Sequence, residues 1–138
     1  TIDLNYSQLL SFSEMDFVVP GPGAKRGIRK CFADLAGLSE ADVIRHVAES
    51  QADEFERRGL AFRDLWGRSL HLIDCQNLFC EVDKYARVAH PDFTSRSAPT
   101  RIKQLFHSSG GLPVPWYPPK WDLNHRIDLN KEGINESD

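Results

Sequence analysis

The sequence predicts an all-α fold. Apolar residues recur at three- and four-residue steps along the central part of the chain, which is the period of an amphipathic helix. No stretch alternates apolar and polar residues as a half-buried strand would. With 138 residues, 41% of them hydrophobic and 27% charged, the composition is typical of an ordinary globular domain.

The first three helices are predicted in chain order from their apolar faces and their ends. A short helix is expected over residues 6–15 and a second one over residues 24–37. The third begins after Ser39, a residue type preferred at the N-cap, and ends at Gly59, which suits a helix C-terminus. These helices supply the apolar faces of a single core.

The remaining elements follow from glycine and proline punctuation. Residues 60–90 predict one long helix or two consecutive helices broken at Gly67, and Pro91 stops them. A short helix is expected over residues 100–109. Four prolines between 113 and 119 exclude a regular helix or a central strand there. We therefore expect a single helical domain over residues 1–128 and a flexible C-terminal tail over 129–138.

Composition also restricts the partners. No apolar run approaches the roughly 20 residues of a membrane span, so no membrane partner is expected. The three cysteines, Cys31, Cys75 and Cys80, have spacings that suit neither a zinc site nor a disulfide framework. They predict reduced thiols and an intracellular location, in the cytoplasm or the nucleus depending on the host. No metal and no cofactor are predicted.

A basic segment directly follows a Pro-Gly-Pro-Gly sequence. The net charge of the chain is −3, yet residues 24–30 hold four cations and no anion. A short helix, a Pro-Gly-X-Gly turn and a second helix together predict a helix-hairpin-helix near residues 6–35, with positive φ at one or both glycines. The free N–H groups that open the second helix form an anion site. The predicted DNA-binding residues are Gly21, Gly23, Lys25, Arg26, Arg29 and Lys30. The alternative is a structural turn between two helices with a solvated basic face.

Four polar residues form a stripe on the helix predicted after Gly67. At 100° per residue they lie at alternating three- and four-residue steps, away from the face of Gln76, Asp83 and Arg87. Carboxylates on an otherwise apolar side can act as bases or hold a cation. The predicted catalytic residues are Asp74, Asn77, Glu81 and Lys84. The alternative is a closed structural network in which the carboxylates pair with Lys84 or with arginines of a neighbouring helix.

The hairpin spacing resembles the helix-hairpin-helix DNA glycosylases. In the lyase-active members a lysine follows the hairpin closely, and Lys25 stands at that place. Those enzymes also carry an aspartate at the start of a later helix, where this sequence has Asp42. Asp42 is explained equally well as a first-turn residue that stabilises its helix.

The segments "GPGAKRGIRKCF", "IDCQNLFCEVDKYAR" and "RIKQLF…PPKW" together resemble the helical domain associated with 5-hydroxymethyluracil DNA kinases. That domain is similar to the thymine pyrophosphorylase group, or amino acid:DNA transferases, which is related to the glycosylases above. The resemblance covers roughly residues 12–121. It implies a role in DNA base hypermodification, in which a 5-hydroxymethyl group is phosphorylated and then displaced by an amine or amino acid. No Gly-x-x-x-x-Gly-Lys-Ser/Thr occurs, so this chain alone is not the kinase.

Three functions follow from these residues. The first is a transferase or glycosylase-like domain that holds DNA phosphates and acts on a modified thymine flipped out of the duplex. The second is a non-catalytic DNA-binding helical module that positions a separate kinase or glycosylase domain, in the same or another chain. The third is a protein-interaction domain that uses residues 113–121. A pocket with Asp74 and Glu81 at its base would favour the first function, an enzyme. Closed ion pairs at these carboxylates would favour the second, a DNA-binding module.

Overall fold

The computed structural model describes residues 5–64, 66–93, 107 and 115–127. Within these ranges the chain forms three α-helices and three short 3₁₀ helices, and it contains no β-strand. The all-α prediction is therefore confirmed. The helices are α1 (Pro22–Cys31), α2 (Glu40–Arg57) and α3 (Leu72–Ala89), and the 3₁₀ helices are Pro91–Phe93, Pro119–Trp121 and Asn124–Arg126.

The chain divides into two compact units. One consists of Thr1–Ser13 with Leu105–Asp138, and the other of Glu14–Gln104. All three α-helices belong to the second unit. The single domain predicted over residues 1–128 stays a prediction, and both the helix predicted over 100–109 and the tail over 129–138 lie outside the described residues, apart from position 107.

The helix predicted over residues 6–15 is wrong. These residues form turns and irregular backbone. The Ser7 hydroxyl accepts a hydrogen bond from the Leu9 amide at 3.3 Å, which is a local bond that competes with helical pairing. Residues 6–21 therefore contain no α-helix before the Pro-Gly-Pro-Gly sequence leads into the next one.

Helix α1 begins at Pro22 and ends at Cys31, well before the predicted end at residue 37. Pro22 suits the first helical position because its missing N–H would have no partner there. Phe32 leaves the helix in an extended conformation. The Asp34 carboxylate then accepts a bond from the Ala36 amide at 3.0 Å, which forms a turn that Gly37 continues with a φ of +81°.

Helix α2 has the predicted start and end. The Ser39 hydroxyl accepts a bond from the Asp42 amide at 3.2 Å, and the Asp42 carboxylate accepts one from the Ser39 amide at 2.9 Å. This is a reciprocal capping box. At the other end Gly59 has a φ of +62°, and the Leu60 amide donates to the Phe55 carbonyl at 2.9 Å. That bond is the one that closes a Schellman motif.

Helix α3 begins only at Leu72, so the described residues between 60 and 71 are not helical. Gly67 has a φ of +88° in a turn where its amide donates to the Asp64 carboxylate at 2.9 Å. The predicted break at Gly67 is confirmed, whereas the predicted helix before it is wrong. As predicted, α3 stops before Pro91.

The core of the second unit is formed by α1, α2 and α3. Helices α1 and α3 approach most closely at two glycines. A β-carbon on Gly23 would lie 3.3 Å from the Cys80 sulfur, and one on Gly27 would overlap the Phe79 carbonyl group. Gly27 is therefore required for the packing distance, whereas a β-carbon at Gly23 would need the Cys80 side chain to shift by a few tenths of an ångström. The buried apolar residues are Ala24, Ile28, Val43, Ile44, Ala48, Leu72, Cys75 and Phe79.

The three cysteines are free thiols. Cys75 lies fully buried in the core, and burial, followed by the neighbouring Asp74 carboxylate, raises the pKa of its thiol to about 11. A thiol with so high a pKa stays protonated and behaves as a small apolar side chain.

The first unit is built around Trp121. The Tyr6 ring meets the Trp121 ring edge-on at 5.9 Å between centroids, and the Tyr117 ring stacks on it at 6.2 Å. Lys120 donates to the Asn5 side chain at 2.6 Å and to the Phe12 carbonyl at 2.7 Å. These contacts hold residues 117–121, which lie at the end of the proline-rich segment.

Candidate nucleic-acid interface

The glycines of the predicted hairpin do not have the predicted backbone. Gly21 is the N-cap of α1 with a φ of −75° and a ψ of 170°, and Gly23 lies inside the helix. The glycines with positive φ in the described ranges are Gly37, Gly59 and Gly67. The prediction of positive φ is wrong because Pro22 fixes a helical φ and begins the helix at once. The helix-hairpin-helix is not confirmed, and DNA contacts by Gly21 and Gly23 stay a prediction.

The four cations of α1 divide into two pairs, each spaced by four residues. Arg26 and Lys30 turn inward, and both contact Asp83 of α3. Lys25 and Arg29 lie on the exposed side. Residues four apart are neighbours on a helix surface, so each pair forms its own row. The predicted basic patch is thus divided into an inward row that contacts Asp83 and an outward row that is exposed.

Asp83 is the centre of the inward row. Its side chain is completely inaccessible to solvent. Lys30 Nζ lies 2.7 Å from its Oδ1, and Arg26 contacts its Oδ2 through both Nε and Nη2 at 3.1 Å. Arg87 Nη2 approaches the same oxygen at 3.4 Å. Burial alone would raise the pKa of Asp83, but the bonds from Lys30 and Arg26 outweigh it and lower the pKa.

The outward row is available to a ligand. The Arg29 side chain is 71% exposed, and its guanidinium contacts Glu40 at 3.1 Å. The pKa of the Glu40 carboxyl is lowered, first by a hydrogen bond from the backbone N–H of Glu40 itself and then by the nearby charges of Arg29 and Lys25. Lys25 is exposed and forms no ion pair within the described ranges. The first turn of α1 contains no acidic residue, so nothing on this helix opposes an incoming anion.

The predicted catalytic stripe does not lie on a buried side of α3. Glu81 and Lys84 are 64% and 42% exposed and pair with each other at 2.5 Å. Asn77 is also exposed, and so are Leu78 and Tyr85, which the prediction placed on the apolar side. The buried face instead carries Leu72, Cys75, Phe79, Asp83 and Ala86. The prediction that the stripe lies on an apolar, buried side of α3 is therefore wrong, because that side is largely exposed. The catalytic role of the four residues stays a prediction.

Asp74 belongs to a separate network that the sequence did not indicate. Its carboxylate accepts a bond from the His71 amide at 2.9 Å and contacts Arg68 Nη1 at 3.0 Å. Arg68 also contacts Glu14 at 3.1 Å, and His71 Nδ1 lies 2.6 Å from the same Glu14 oxygen. Glu14, Arg68 and His71 precede their helices in irregular segments, where no periodic pattern predicts that they meet.

Residues 1–95 match the family described as the helical domain of 5-hmdU DNA kinase. The chain belongs to this family. A 5-hmdU DNA kinase from Bacillus phage SP10 is 35% identical to it over 66 residues, which cover 47% of this chain and 10% of that protein. The chain thus spans about a tenth of the length of this relative. No solved structure matches it.

In this helical domain of the 5-hmdU DNA kinase family, both predicted catalytic carboxylates stand in ion pairs. Asp74 pairs with Arg68, and Glu81 pairs with Lys84. Closed pairs are the arrangement that favours a positioning module over an active site. No helix of the described ranges is long and apolar enough to cross a bilayer.

Proposed function

We propose that this chain is the DNA-contacting helical module of a 5-hmdU DNA kinase. Phosphoryl transfer to the 5-hydroxymethyl group of a base in DNA then takes place in another part of the longer protein, which the module holds on the duplex. The observation that carries the proposal is the exposed row of Lys25 and Arg29 on α1, a helix without any acidic residue. The family supplies DNA as the expected partner.

The row suits contact with the phosphates of one strand. Side chains four apart on a helix have β-carbons about 5–6 Å from each other, and both cations have long flexible stems. Arg29 would exchange Glu40 for a phosphate. An exposed ion pair contributes only about 0–1 kcal/mol, so this exchange costs little. Phosphate contacts carry no base information, and they position the duplex for a reaction elsewhere.

The sequence supports this division of labour. The chain has no Gly-x-x-x-x-Gly-Lys-Ser/Thr to hold nucleotide phosphates. A kinase that extrudes its target base from the stack spends a few kcal/mol on unstacking it. A separate domain that binds the DNA backbone makes dissociation of the duplex less frequent during this step. A kinase domain in the same or another chain is therefore the second expected partner.

Duplex binding as a function of salt tests the proposal. The double variant Lys25→Gln with Arg29→Gln is compared with the unchanged chain by fluorescence anisotropy of a labelled duplex. Each lost phosphate contact lowers the slope of log K against log salt by about 0.9. We expect the slope to fall by about 1.8 for two contacts, to the same extent for any duplex sequence.

Arg57→Gln with Arg58→Gln is the matched control. It removes the same number of charges at the far end of α2, a helix of 18 residues that spans roughly 27 Å from Glu40, the partner of Arg29. The control should keep the original slope. Equal slopes for all three proteins, with circular dichroism unchanged, would exclude the exposed row of α1 from the interface.

A further inference from the structure

The cluster of Asp83 with Arg26, Lys30 and Arg87, here called the Asp83 cluster, holds more positive than negative charge. Arg26 and Lys30 form no other ion pair in the described part of the chain. One carboxylate therefore faces two cations of α1 even before Arg87 is counted. A surplus cation that is recessed from water is costly unless an anion approaches it.

The cluster retains donors for such an anion. Arg26 uses Nε and Nη2 on Asp83, and its Nη1 makes none of the hydrogen bonds found in the described ranges. Lys30 Nζ has three hydrogens, and its contacts with the carboxylate and the backbone carbonyl of Asp83 account for two. The Arg26 and Lys30 side chains are 34% and 14% exposed. Their remaining donors lie at the edge of the interior, partly shielded from water.

We propose that the Asp83 cluster is a phosphate-binding site, in which Arg26 and Lys30 contact the phosphate oxygens and Asp83 is a positioning residue. A guanidinium fork and an ammonium group are donors well suited to phosphate oxygens. Asp83 holds both side chains from the neighbouring helix, so less rotamer freedom is lost when the anion binds. The site is distinct from the exposed row, because neither Lys25 nor Arg29 contacts Asp83.

The phosphate has two possible sources. One is a phosphodiester of the DNA backbone, and the other is the phosphomonoester that a kinase creates on the hydroxymethyl group. The monoester carries about −1.5 to −2 charges at neutral pH, more than a diester. The choice between these sources rests on the proposed function, whereas the site itself does not.

Thermal unfolding of the 138-residue chain tests the site directly. Melting is followed in sodium phosphate and in sodium chloride at matched ionic strength. A ligand that binds the native state raises the melting temperature with its concentration. We expect a saturable rise in phosphate alone, and for Arg26→Gln a phosphate affinity about tenfold weaker, which corresponds to one lost charge-assisted hydrogen bond.

Arg57→Gln is the matched control, since it removes a cation at the far end of α2, outside both the exposed row and the Asp83 cluster, and it should respond to phosphate as the unchanged chain does. Equal responses of Arg26→Gln and the unchanged chain would overturn the inference, and so would a rise no larger in phosphate than in chloride.

Asp83→Asn tests whether Asp83 positions Arg26 and Lys30 for phosphate or affects binding only through its charge. The substitution removes one negative charge and so raises the net charge of the cluster by one. Charge attraction alone therefore predicts tighter phosphate binding, whereas positioning by Asp83 predicts weaker binding. Arg26→Lys answers the same question if the asparagine variant does not fold, because it keeps the charge and removes the fork. We expect affinity about tenfold weaker for Arg26→Lys. Unchanged affinity in this variant, or tighter binding in Asp83→Asn, would refute the positioning role.

Two duplexes identify the source. One has hydroxyl ends and offers only phosphodiesters, and the other carries 5′-phosphates as monoesters. Arg26→Gln should lose affinity for both duplexes if the site takes the backbone, and only for the second if it takes a monoester; loss for neither contradicts the site. The two proposals can fail separately. If phosphate still raises the melting temperature but the double variant Lys25→Gln with Arg29→Gln keeps the original salt slope, only the proposed function is contradicted. If the salt slope falls but phosphate does not raise the melting temperature, only this inference is contradicted.

Discussion

Gly27 of α1 packs directly on the backbone of Phe79 in α3. A β-carbon at position 27 would lie 2.7 Å from the Phe79 carbonyl carbon, closer than real β-carbons approach other atoms. The crossing therefore requires glycine, and it places Arg26 and Lys30 on either side of the contact, within reach of Asp83. One close contact between the two helices thus fixes both the core and the cation cluster.

Gly27→Ala should destabilise the fold strongly. The added methyl group meets backbone atoms, which cannot rotate away, so α1 and α3 must separate. Overpacking costs typically about 1–3 kcal/mol, and we expect the upper end or more here. Urea denaturation measures the change. Gly21→Ser is the control, since Gly21 has open space around it and serine is preferred at an N-cap. If alanine at position 27 leaves the stability unchanged, the helices do not cross as described.

The stability provided by Asp83 should depend on pH. Its folded pKa lies below the ordinary value of 3.8, so its contribution is complete well above 3.8 and is lost as the pH falls through the lower folded value. Asp83→Asn leaves buried cations unpaired, which costs about 3–5 kcal/mol at pH 7.

The measurement is urea denaturation of Asp83→Asn and the unchanged chain across this pH range. The difference in unfolding free energy between them should shrink in acid below the ordinary pKa. Asp53→Asn, on an exposed position of α2, should show little difference at any pH. A gap for Asp83→Asn that stays constant into strong acid would show that the carboxylate is not the group responsible.

Ser39→Ala should weaken α2 by about 1 kcal/mol, because it removes the acceptor of the Asp42 amide. Ser39→Asn restores an N-cap acceptor and should recover most of the loss. The thermal midpoints of the two variants give the comparison. The bonds of Asp42 to Ser39 account for its position in full, so no catalytic role is needed to explain it. Identical midpoints for alanine and asparagine would argue against the capping box.

Much of the fold could be predicted, since helix ends are coded locally. Ser39 and Gly59 mark the ends of α2 by residue types that satisfy free amides and carbonyls. The length of α1 could not be read in this way. Phe32 and Leu35 continue a helical period on the sequence, yet the chain leaves the helix at Phe32. Tertiary packing overrides periodicity in short helices, which are marginal on their own.

The orientation of α3 was not accessible to periodicity. The helix has apolar residues on two sides, with Leu78 and Tyr85 on one and Cys75 and Phe79 on the other. The pattern therefore fixes which residues share a face and not which face is buried. The signal lay in α1, where a helical glycine between Arg26 and Lys30 indicates a close partner that carries an anion. Asp83 could be found from that signal, while Glu14 and Arg68 lie in segments without any period.

The last prediction separates the catalytic interpretation of the stripe from the module. Glu81→Gln removes an exposed carboxylate whose pair with Lys84 contributes at most about 1 kcal/mol, so stability should hardly change. Asp74→Asn removes a charge from the Arg68 network and should cost about 1–3 kcal/mol.

The two substitutions are then placed in the full-length kinase, and nucleosides from its DNA are analysed by mass spectrometry. If the chain is a positioning module, Glu81→Gln leaves the modification intact, and Asp74→Asn reduces it only as far as the folded fraction falls. Loss of modification in the stable Glu81→Gln protein, with duplex binding retained, would instead assign the stripe to catalysis. Glu81 decides the question because its change leaves the fold in place, so any loss of modification reports on chemistry.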